Sequence, residues 1–489
     1  RSVESGFLYV MGTSYPAVVA GWETYFSKRY QEDQKGREAP ANTPLAIRNR
    51  KNYPLSQLKL SPDGNTLAYA LNRAGRFKVY LYDLQKNTSN VIFKGGQRNL
   101  LQATDYNYPL LAWNPNNTQL SVVFEYRDDL RFATYDLKTR KTTTELLEET
   151  YQRVFDMDYV DPFSLVFSAA VSSQSDLFLY LPRTRSSRRL TNDFYDEQDL
   201  AFVNLRNRKG VVFASNRPDT LLPLAPVRRD TILPRRTFDL FYLDLEGDAR
   251  ELVRITRTPL SDERFPAAVD TAYFTYLSDR SGIYNQESGF LEDFVHHRNQ
   301  HIFLNDGTEV VIHEDSTLES LDTTLIDSIQ IRPVIRQRAV TFACSNLDRN
   351  LEALHTSPRG RKQVELIPRL SKSLVLVQAL QIEPKDRPAD TYYQQVRKRF
   401  IRAGEDTLHG QFSHEMPASS AILVREPAHA NPDTLRIPEG FLFQSRFGYP
   451  VSSQPLQEEG RDSLSFSVEP RPAPPVVLPL PVAAFDAGM

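Results

Sequence analysis

The sequence predicts an all-β fold built from one repeated unit, and three observations carry this prediction. A turn, an apolar strand, a polar turn and a second strand recur six times between about residues 52 and 368. Within the strands, inward and outward positions alternate with a period of two, as in a β-strand. The units follow one another at about 45 to 65 residues, the length of a four-stranded propeller blade with insertions. We therefore predict a β-propeller of six blades, with seven as the alternative count.

A helical lead-in precedes the repeats, and a β-rich, proline-rich extension follows them. Over residues 1–50, apolar side chains first recur at helical spacing, and Pro16 divides them into two short helices. The predicted propeller spans 51–370 and the β-rich extension 371–468. Proline fixes φ and removes a backbone donor, so the tail at 469–489 is predicted to be an extended arm.

The turns of the units justify the strand assignments. In the first unit, the run SPDG at 61–64 precedes the strand TLAYAL, and VYLYDL follows as the second strand. Pro, Asp and Gly supply the φ values and the side-chain hydrogen bonds of tight turns. The fourth unit carries an insertion at 221–236, the fifth carries one around 286–299, and the sixth begins with the run RAVTFACSNLDRN. Since one unit cannot bury both of its faces, the units are predicted to close into a ring.

The segment after the ring leaves two interpretations open. Residues 392–406, YYQQVRKRFIRAGED, fit a short basic helix, or a strand with Tyr393, Val396 and Phe400 on its inner face. Its cations fit a solvated face better than a lipid surface. The aromatic-rich run at 437–447 is predicted to be a strand that docks on a partner or closes a small β-unit.

Composition excludes several function classes. The chain has 489 residues, 59 basic and 61 acidic, with a net charge of −2, which argues against a nucleic-acid partner. No apolar run reaches the roughly 18 residues that a transmembrane helix needs. The single cysteine, Cys344, lies in an apolar run and is predicted to be a buried, unreactive thiol.

No catalytic or cofactor-binding set emerges from the motifs. His297 and His301 are weak metal candidates, since on a helix they would share one face, but a polar insertion is the favoured interpretation. The sequence has no nucleophile elbow of the G-x-S-x-G type and no phosphate-binding glycine loop. Its carboxylates occupy turn positions, where they accept hydrogen bonds from backbone N–H groups. We therefore predict a protein that is not an enzyme and that has no cofactor and no metal.

The turn motifs resemble a known family. The runs SPDG at 61–64, RLTN at 189–192, ASNR at 214–217 and LSDRSG at 277–282 are similar to the repeats of TolB-like β-propellers. Such repeats also occur in the propeller domains of prolyl-oligopeptidase-type peptidases. The resemblance covers roughly 320 residues and implies a fold more than a function, because the repeat residues are structural.

The layout of the whole chain resembles large envelope proteins of Bacteroidota-type bacteria. The runs that carry this resemblance are GWETYFSKRY at 21–30, DTLHG at 406–410 and FLFQS at 441–445. In those proteins a peptidase-like helical module precedes the propeller and an outer-membrane β-barrel follows it. The resemblance implies a periplasmic or outer-membrane-associated location, with other envelope or outer-membrane proteins as partners.

A tripeptide of Asp, then Ser or Thr, then an aliphatic residue or Thr occurs nine times. Composition alone predicts about two occurrences. The tripeptide resembles the general O-glycosylation signal of Bacteroidota envelope proteins, whereas the alternative is an ordinary turn or cap pair. The candidate glycosylation sites are Thr220, Thr231, Thr271, Ser316, Thr323, Ser328, Thr407, Thr434 and Ser463.

Three functions are compatible with this sequence. The favoured one is a non-catalytic scaffold of the bacterial envelope that binds other proteins. The second is the substrate-gating propeller of a peptidase whose catalytic domain lies outside this chain. The third is a glycan-binding propeller, for which Tyr284, Phe290 and Phe294 are candidate aromatic platforms.

Overall fold

The computed structural model divides the chain into two compact units, residues 1–410 and 411–489. The described residues are 3–40, 43–98, 103–147, 150–171, 174–222, 235–247, 251–314, 323–369, 372–407, 443–446 and 449–451. The first unit holds the helical lead-in and the sheets. In the second unit a two-stranded hairpin is described, which pairs β25 (Phe443–Arg446) with β26 (Tyr449–Val451).

The predicted helical lead-in is confirmed as two helices, α1 (Val3–Met11) and α2 (Tyr15–Asp33). Pro16 lies in the first turn of α2, where its missing N–H would have no partner within the helix. Helix α1 ends before α2 begins, because Gly12 follows its last residue with a φ of 66°.

The first three sheets each contain four antiparallel strands in chain order. Sheet 1 consists of β1 (Leu55–Leu60), β2 (Thr66–Arg73), β3 (Arg76–Asp83) and β4 (Thr88–Gly95). Sheet 2 consists of β5 (Leu110–Trp113), β6 (Gln119–Tyr126), β7 (Asp129–Asp136) and β8 (Thr142–Leu146). Sheet 3 consists of β9 (Arg153–Asp161), β10 (Ser164–Val171), β11 (Gln174–Leu181) and β12 (Ser186–Arg189).

Sheet 4 keeps this plan, and sheets 5 and 6 vary it. Sheet 4 consists of β13 (Glu197–Leu205), β14 (Arg208–Ser215), β15 (Asp239–Asp244) and β16 (Val253–Arg254). Sheet 5 consists of β17 (Glu263–Ala268), β18 (Phe274–Ser278), β19 (Asn285–Leu304), β20 (Glu309–His313) and β21 (Ile326–Ala343). Sheet 6 has three described strands, β22 (Ala353–Ser357), β23 (Lys362–Arg369) and β24 (Lys372–Ala379).

The first strands of the sheets form a closed ring, which confirms the predicted β-propeller fold. They contact one another in the order β1, β5, β9, β13, β17 and β22, and β22 contacts β1. A segment before the first sheet joins the last one, since the Leu45 N–H donates to the carbonyl of Val375 in β24 (2.8 Å). β24 lies past residue 370, where the sequence predicted the propeller to end, and it pairs with β23 along its whole length.

The hydrophobic cores lie between neighbouring sheets. Val123 of sheet 2 packs in one cluster with Phe167 of sheet 3, and Leu67 of sheet 1 packs in another with Val364 of sheet 6. The central strands are therefore buried on both faces, as in β10, where the first six residues are all buried. This is the arrangement that requires the sheets to stack around a ring.

The sequence placed the run RAVTFACSNLDRN in the sixth unit, and this placement is wrong. Its strand residues belong to β21, which pairs with β19 of sheet 5 from Glu287 to Leu304. β19 and β21 are long strands that continue beyond the pairing of β18, which ends at Gly289. Their outer parts, 292–304 and 326–338, form with β20 a three-stranded extension that we call the arm.

After the last sheet the chain forms α3 (Tyr392–Thr407), so the helix is the one of the two predicted alternatives that the structure adopts. The hydroxyl of Thr391 accepts a hydrogen bond from the Gln394 N–H, as an N-cap does. Asp33 at the end of α2 accepts a hydrogen bond from the Tyr392 N–H (2.8 Å). The end of α2 and the start of α3 therefore lie together.

Candidate functional site

Three of the ring-lining strands contain a β-bulge with an unusual backbone. Gln57 in β1, Asp199 in β13 and Phe265 in β17 have φ values of 55°, 41° and 52°. Residues with a Cβ atom rarely adopt this region, and they persist there only when their surroundings hold them. Polar side chains lie beside these bulges.

These side chains form a set that we call the axial cluster: Lys59, Asp156, Asp158, Asp199, Arg264 and His355. The ammonium of Lys59 lies 3.7 Å from Asp156 Oδ1, and the two side chains are 17% and 16% exposed. β1 and β9 are not neighbours in the ring, because β5 lies between them. This ion pair therefore spans an intervening strand.

The two aspartates of β9 connect that strand to β13. The Leu200 N–H donates to Asp156 Oδ2 (3.0 Å), and the Phe202 N–H donates to Asp158 Oδ2 (2.9 Å). Burial raises the pKa of both carboxyl groups, that of Asp158 to about 6, and the charge of Lys59 opposes the rise. Both carboxylates thus act as acceptors for backbone groups of the next sheet.

The other members of the axial cluster also join neighbouring sheets. Asp199 of sheet 4 forms an ion pair with Arg264 of sheet 5. The Leu60 N–H donates to His355 Nδ1 (3.1 Å), so the neutral ring carries its proton on Nε2. Burial, and then the charge of Lys59, hold the pKa of His355 well below its usual value.

The chemistry of the axial cluster is structural. His355 cannot take a proton on Nδ1 without losing its bond to the backbone, and Lys59 neutralises the charge that Asp156 would offer a ligand. The described residues of the cluster do not combine a nucleophile with a free base and an orienting group.

Buried ionic networks at two sheet junctions repeat one pattern. Asp176 of β11 forms an ion pair with Arg189. The Thr191 hydroxyl oxygen lies within hydrogen-bond distance of both Asp176 Oδ1 (3.1 Å) and Glu197 Oε2 of the next sheet (2.9 Å). Arg217 lies fully buried against Glu197 and Asp193, at 2.6 and 2.5 Å.

The next junction repeats this arrangement with different residues. Asp239 forms an ion pair with Arg254 and lies 3.3 Å from the Thr256 hydroxyl, which reaches Glu263 of sheet 5 (3.4 Å). The run RLTN at 189–192 was identified in the sequence, but its acidic partners Asp176 and Glu197 were not. The signal that would have found the glutamate partners is their position, six residues after Thr191 and seven after Thr256.

The metal candidates lie on a strand, so the helical spacing on which that candidacy rested does not apply. His297 and His301 belong to β19, where four residues span about 13 Å. His301 Nδ1 lies 2.6 Å from Glu309 Oε1, whereas the ring of His297 stacks on that of His313 at 5.0 Å. In the part of the chain that the structure describes, no group of three or more His, Cys, Asp or Glu side chains could hold a metal ion.

Cys344 is buried, and its thiol donates to the Ser288 hydroxyl (3.1 Å). Burial raises the pKa of this thiol, which disfavours the reactive thiolate. The aromatic candidates do not form one platform. Phe290 packs edge-on against Tyr273 at 5.7 Å, and Phe294 lies on the arm beneath Arg338.

Two of the candidate glycosylation sites lie exposed and one lies half-buried among those whose surroundings are described. Thr271 is exposed in a turn, and Ser328 is exposed on β21, within a strand rather than a loop. Thr220 is half-buried, with its hydroxyl 3.3 Å from Glu251 Oε1. Thr323 lies in a short 3₁₀ turn and Thr407 ends α3. Thr231, Ser316, Thr434 and Ser463 lie outside the described residues.

Exposed apolar side chains concentrate on two elements outside the ring. α2 has no buried residue, and Tyr9 of α1 and Trp22 of α2 are 85% and 60% exposed. The arm exposes five β-branched side chains: Val295, Val311, Ile329, Ile331 and Ile335. Among the described helices, none has the length and apolar character to cross a membrane. The sequence predicted the two helices, whereas it did not predict the arm.

No family model matches the sequence, and no curated protein matches it. Solved structures similar to this chain include TolB and other β-propellers, as the sequence predicted. TolB from Acinetobacter baumannii is 15% identical with a TM-score of 0.36, and the match covers 48% of this chain and 51% of that one. This chain thus matches about half the length of that TolB.

Two further structures give the same picture. An oligogalacturonate lyase in complex with manganese is 14% identical with a TM-score of 0.34, over 66% of this chain and 76% of that one. The Dos1 propeller is 10% identical with a TM-score of 0.36, over 69% of this chain and 81% of that one. At such values the likeness carries no argument about function, and the assignment of the fold rests on the sheets themselves.

Proposed function

We propose that this propeller is a non-catalytic scaffold of the bacterial envelope, which binds other proteins in an outer-membrane-associated assembly. The observation that carries the proposal is the exposure of α1 and α2. These helices carry Leu8, Tyr9 and Trp22 on their surface, and α2 buries no residue against the ring. A short helix in water is marginally stable unless its apolar side packs on a neighbour.

The interior of the ring supports a scaffold rather than an enzyme. The charged groups of the axial cluster bind backbone groups of neighbouring sheets and one another. These contacts stabilise the closed ring. A stable ring with apolar elements outside it suits a protein that holds partners in place. The envelope location is part of the proposal and is motivated by the repeat motifs and by the nine tripeptides.

Crosslinking of the native protein in intact cells, followed by mass spectrometry of the envelope fraction, tests this function. We expect crosslinks from Lys28, which is exposed on α2, to other envelope proteins. Peptide mass spectrometry of the same sample reports the true termini and any sugar on Thr220 or Thr271. Recovery of the protein from the cytoplasm, without sugar and without crosslinks from α2, would overturn the proposal.

A further inference from the structure

A cavity of about 390 Å³ lies where the two helices leave the propeller. Its walls are the last turn of α2, the start of α3 and the segment that follows β21. The lining residues that matter here are Lys35, Arg37, Asn346, Asp390 and Tyr392. Its volume is within the range of about 300–1,000 Å³ that is typical of small-molecule sites.

Two buried polar atoms in the walls lack a partner among the described residues. Arg37 donates from Nε to the Asp33 carbonyl (2.7 Å) and from Nη2 to the Ala389 carbonyl (2.6 Å), whereas its Nη1 is buried and unpaired. Asn346 donates from Nδ2 to the Gly36 carbonyl (2.9 Å), and its Oδ1 is buried and unpaired. A buried donor or acceptor without a partner destabilises the folded state, so both atoms favour a ligand.

The carboxylates around the cavity are already engaged. Glu32 pairs with Arg29 at 3.3 Å, and Asp390 pairs with Lys398 at 2.7 Å. Asp33 accepts the hydrogen bond from the first turn of α3. The ammonium of Lys35, by contrast, has no ion pair within the described part of the chain.

The unengaged groups are therefore two cationic donors and one neutral acceptor. Burial lowers the pKa of Arg37, and the charges of Asp33, Asp348 and Asp390 oppose this shift. A desolvated cation gains more from an anionic partner than an exposed one does, because the local dielectric constant is lower. A carboxylate satisfies the donors Arg37 and Lys35, and an N–H or O–H group satisfies Asn346 Oδ1.

We propose that this cavity binds a carboxylate that carries a hydrogen-bond donor on or next to its α-carbon. The carboxylate accepts from Arg37 Nη1 and Lys35 Nζ, and the neighbouring N–H donates to Asn346 Oδ1. A free amino acid and the C-terminal residue of a peptide share this chemistry. The site goes beyond the scaffold function, since small probes bind it without any envelope partner.

Calorimetric titration of the full chain with three probes tests the site and its source. The probes are glycine, glycylglycine and glycylglycine amide, which lacks the carboxylate. We expect one or both free acids to bind, and the amide to bind at least about tenfold more weakly, a loss of about 1.4 kcal/mol. Binding of glycine alone assigns the site to free amino acids, whereas binding of glycylglycine alone assigns it to peptide C-termini.

Three variants keep the test specific. Lys35→Gln and Arg37→Gln are each expected to weaken binding of the acid about tenfold or more. Lys28→Gln is the matched control, because Lys28 is exposed on the same helix but does not line the cavity. Lys35→Gln leaves the contacts that hold α2 to α3 intact, so its loss of binding cannot be ascribed to misfolding. Absence of binding at about 10 mM of every probe, or equal binding by all variants, overturns the proposal.

Discussion

Lys59 and Asp156 form an ion pair across the ring, with 3.7 Å between Nζ and Oδ1, although a strand of another sheet separates their strands. Contacts between adjacent sheets hold any propeller together, but this ion pair links sheet 1 to sheet 3. The charge of Lys59 also opposes the burial that raises the pKa of Asp158. The positive charge of Lys59 thus favours the ionised forms of Asp156 and Asp158.

Replacement of Lys59 with Met is expected to lower the free energy of unfolding by about 1–3 kcal/mol at pH 7, because the two carboxylates lose their counter-charge. The matched control is Lys51→Met, since Lys51 is exposed in a turn. Urea unfolding followed by circular dichroism measures both. A change of less than about 0.5 kcal/mol for Lys59→Met would show that the pair contributes nothing.

The fold could be predicted from the sequence because its signals are local. The turn at 61–64 and the alternation in strands such as β2 and β3 arise from neighbouring residues. The assignment of Ala339–Ala343 failed because these residues of β21 pair with residues of β19 that lie 48 to 56 positions earlier in the chain. The length of a strand and its alternation do not reveal which distant strand it joins.

The polar sites were harder to predict than the fold. Arg-x-Thr was visible at 189–191 and 254–256, but Asp176 and Glu197 look like ordinary surface residues in the sequence. Lys59 and Asp156 meet only because the ring closes, and no local pattern encodes that contact. The cavity beside Arg37 likewise depends on two helices that are more than 350 residues apart.

The contribution of Asp158 and Asp279 to stability is expected to rise as the pH falls from 7 towards 5, whereas that of His355, whose pKa is held low, falls over the same range. Burial raises the pKa of Asp158 and of Asp279 to about 6, above the unfolded value near 3.9. The folded state therefore binds protons that the unfolded state has released, and this stabilisation is lost as the pH rises through 6. Asp158→Asn, which keeps an acceptor for the Phe202 N–H, is expected to flatten the profile by about 1 kcal/mol between pH 5 and 7. A profile identical to that of the natural protein would contradict this assignment.

Arg217 is expected to be among the least replaceable charged residues. Arg217→Met would leave the buried carboxylates of Glu197 and Asp193 without a cation, at a cost of about 3–5 kcal/mol. Arg183→Met, at an exposed position in the preceding sheet, serves as the control and is expected to change stability by less than about 0.5 kcal/mol. Equal midpoints for the two variants in urea would mean that the network contributes no stability.

Substitutions of the two tryptophans of the chain are expected to have different effects, one on folding and the other on docking. Trp113 is buried and donates from Nε1 to the Lys59 carbonyl (2.9 Å), whereas Trp22 is exposed on α2. Trp113→Ala is expected to cost about 3–5 kcal/mol. Trp22→Ala is expected to leave the free energy of unfolding within about 0.5 kcal/mol but to reduce crosslinking to envelope partners. Full crosslinking by a folded Trp22→Ala protein would remove α2 from the proposed interface.

Among the proposed glycosylation sites, Thr271 is expected to carry more sugar than Thr220. Thr271 is exposed in a turn in which Asp270 Oδ1 accepts hydrogen bonds from the N–H groups of Ala272 and Tyr273, both 2.7 Å long. Those two bonds are also what an ordinary Asx turn would make, so the turn alone does not distinguish the two interpretations. The side chain of Thr220 is half-buried against Glu251, where an attached sugar would displace a contact.

Glycopeptide mass spectrometry of the protein from its native host distinguishes a glycosylation signal from an ordinary turn. We expect sugar on Thr271, loss of that sugar in Thr271→Ala, and the same loss in Asp270→Asn, which keeps a side-chain acceptor for the turn but removes the acid. If Asp270→Asn remained fully modified, the acid would not be part of the signal. If Thr271 carried no sugar while Thr220 did, exposure would not govern modification. If neither threonine carried sugar, the turn interpretation of the tripeptide would be favoured at both sites.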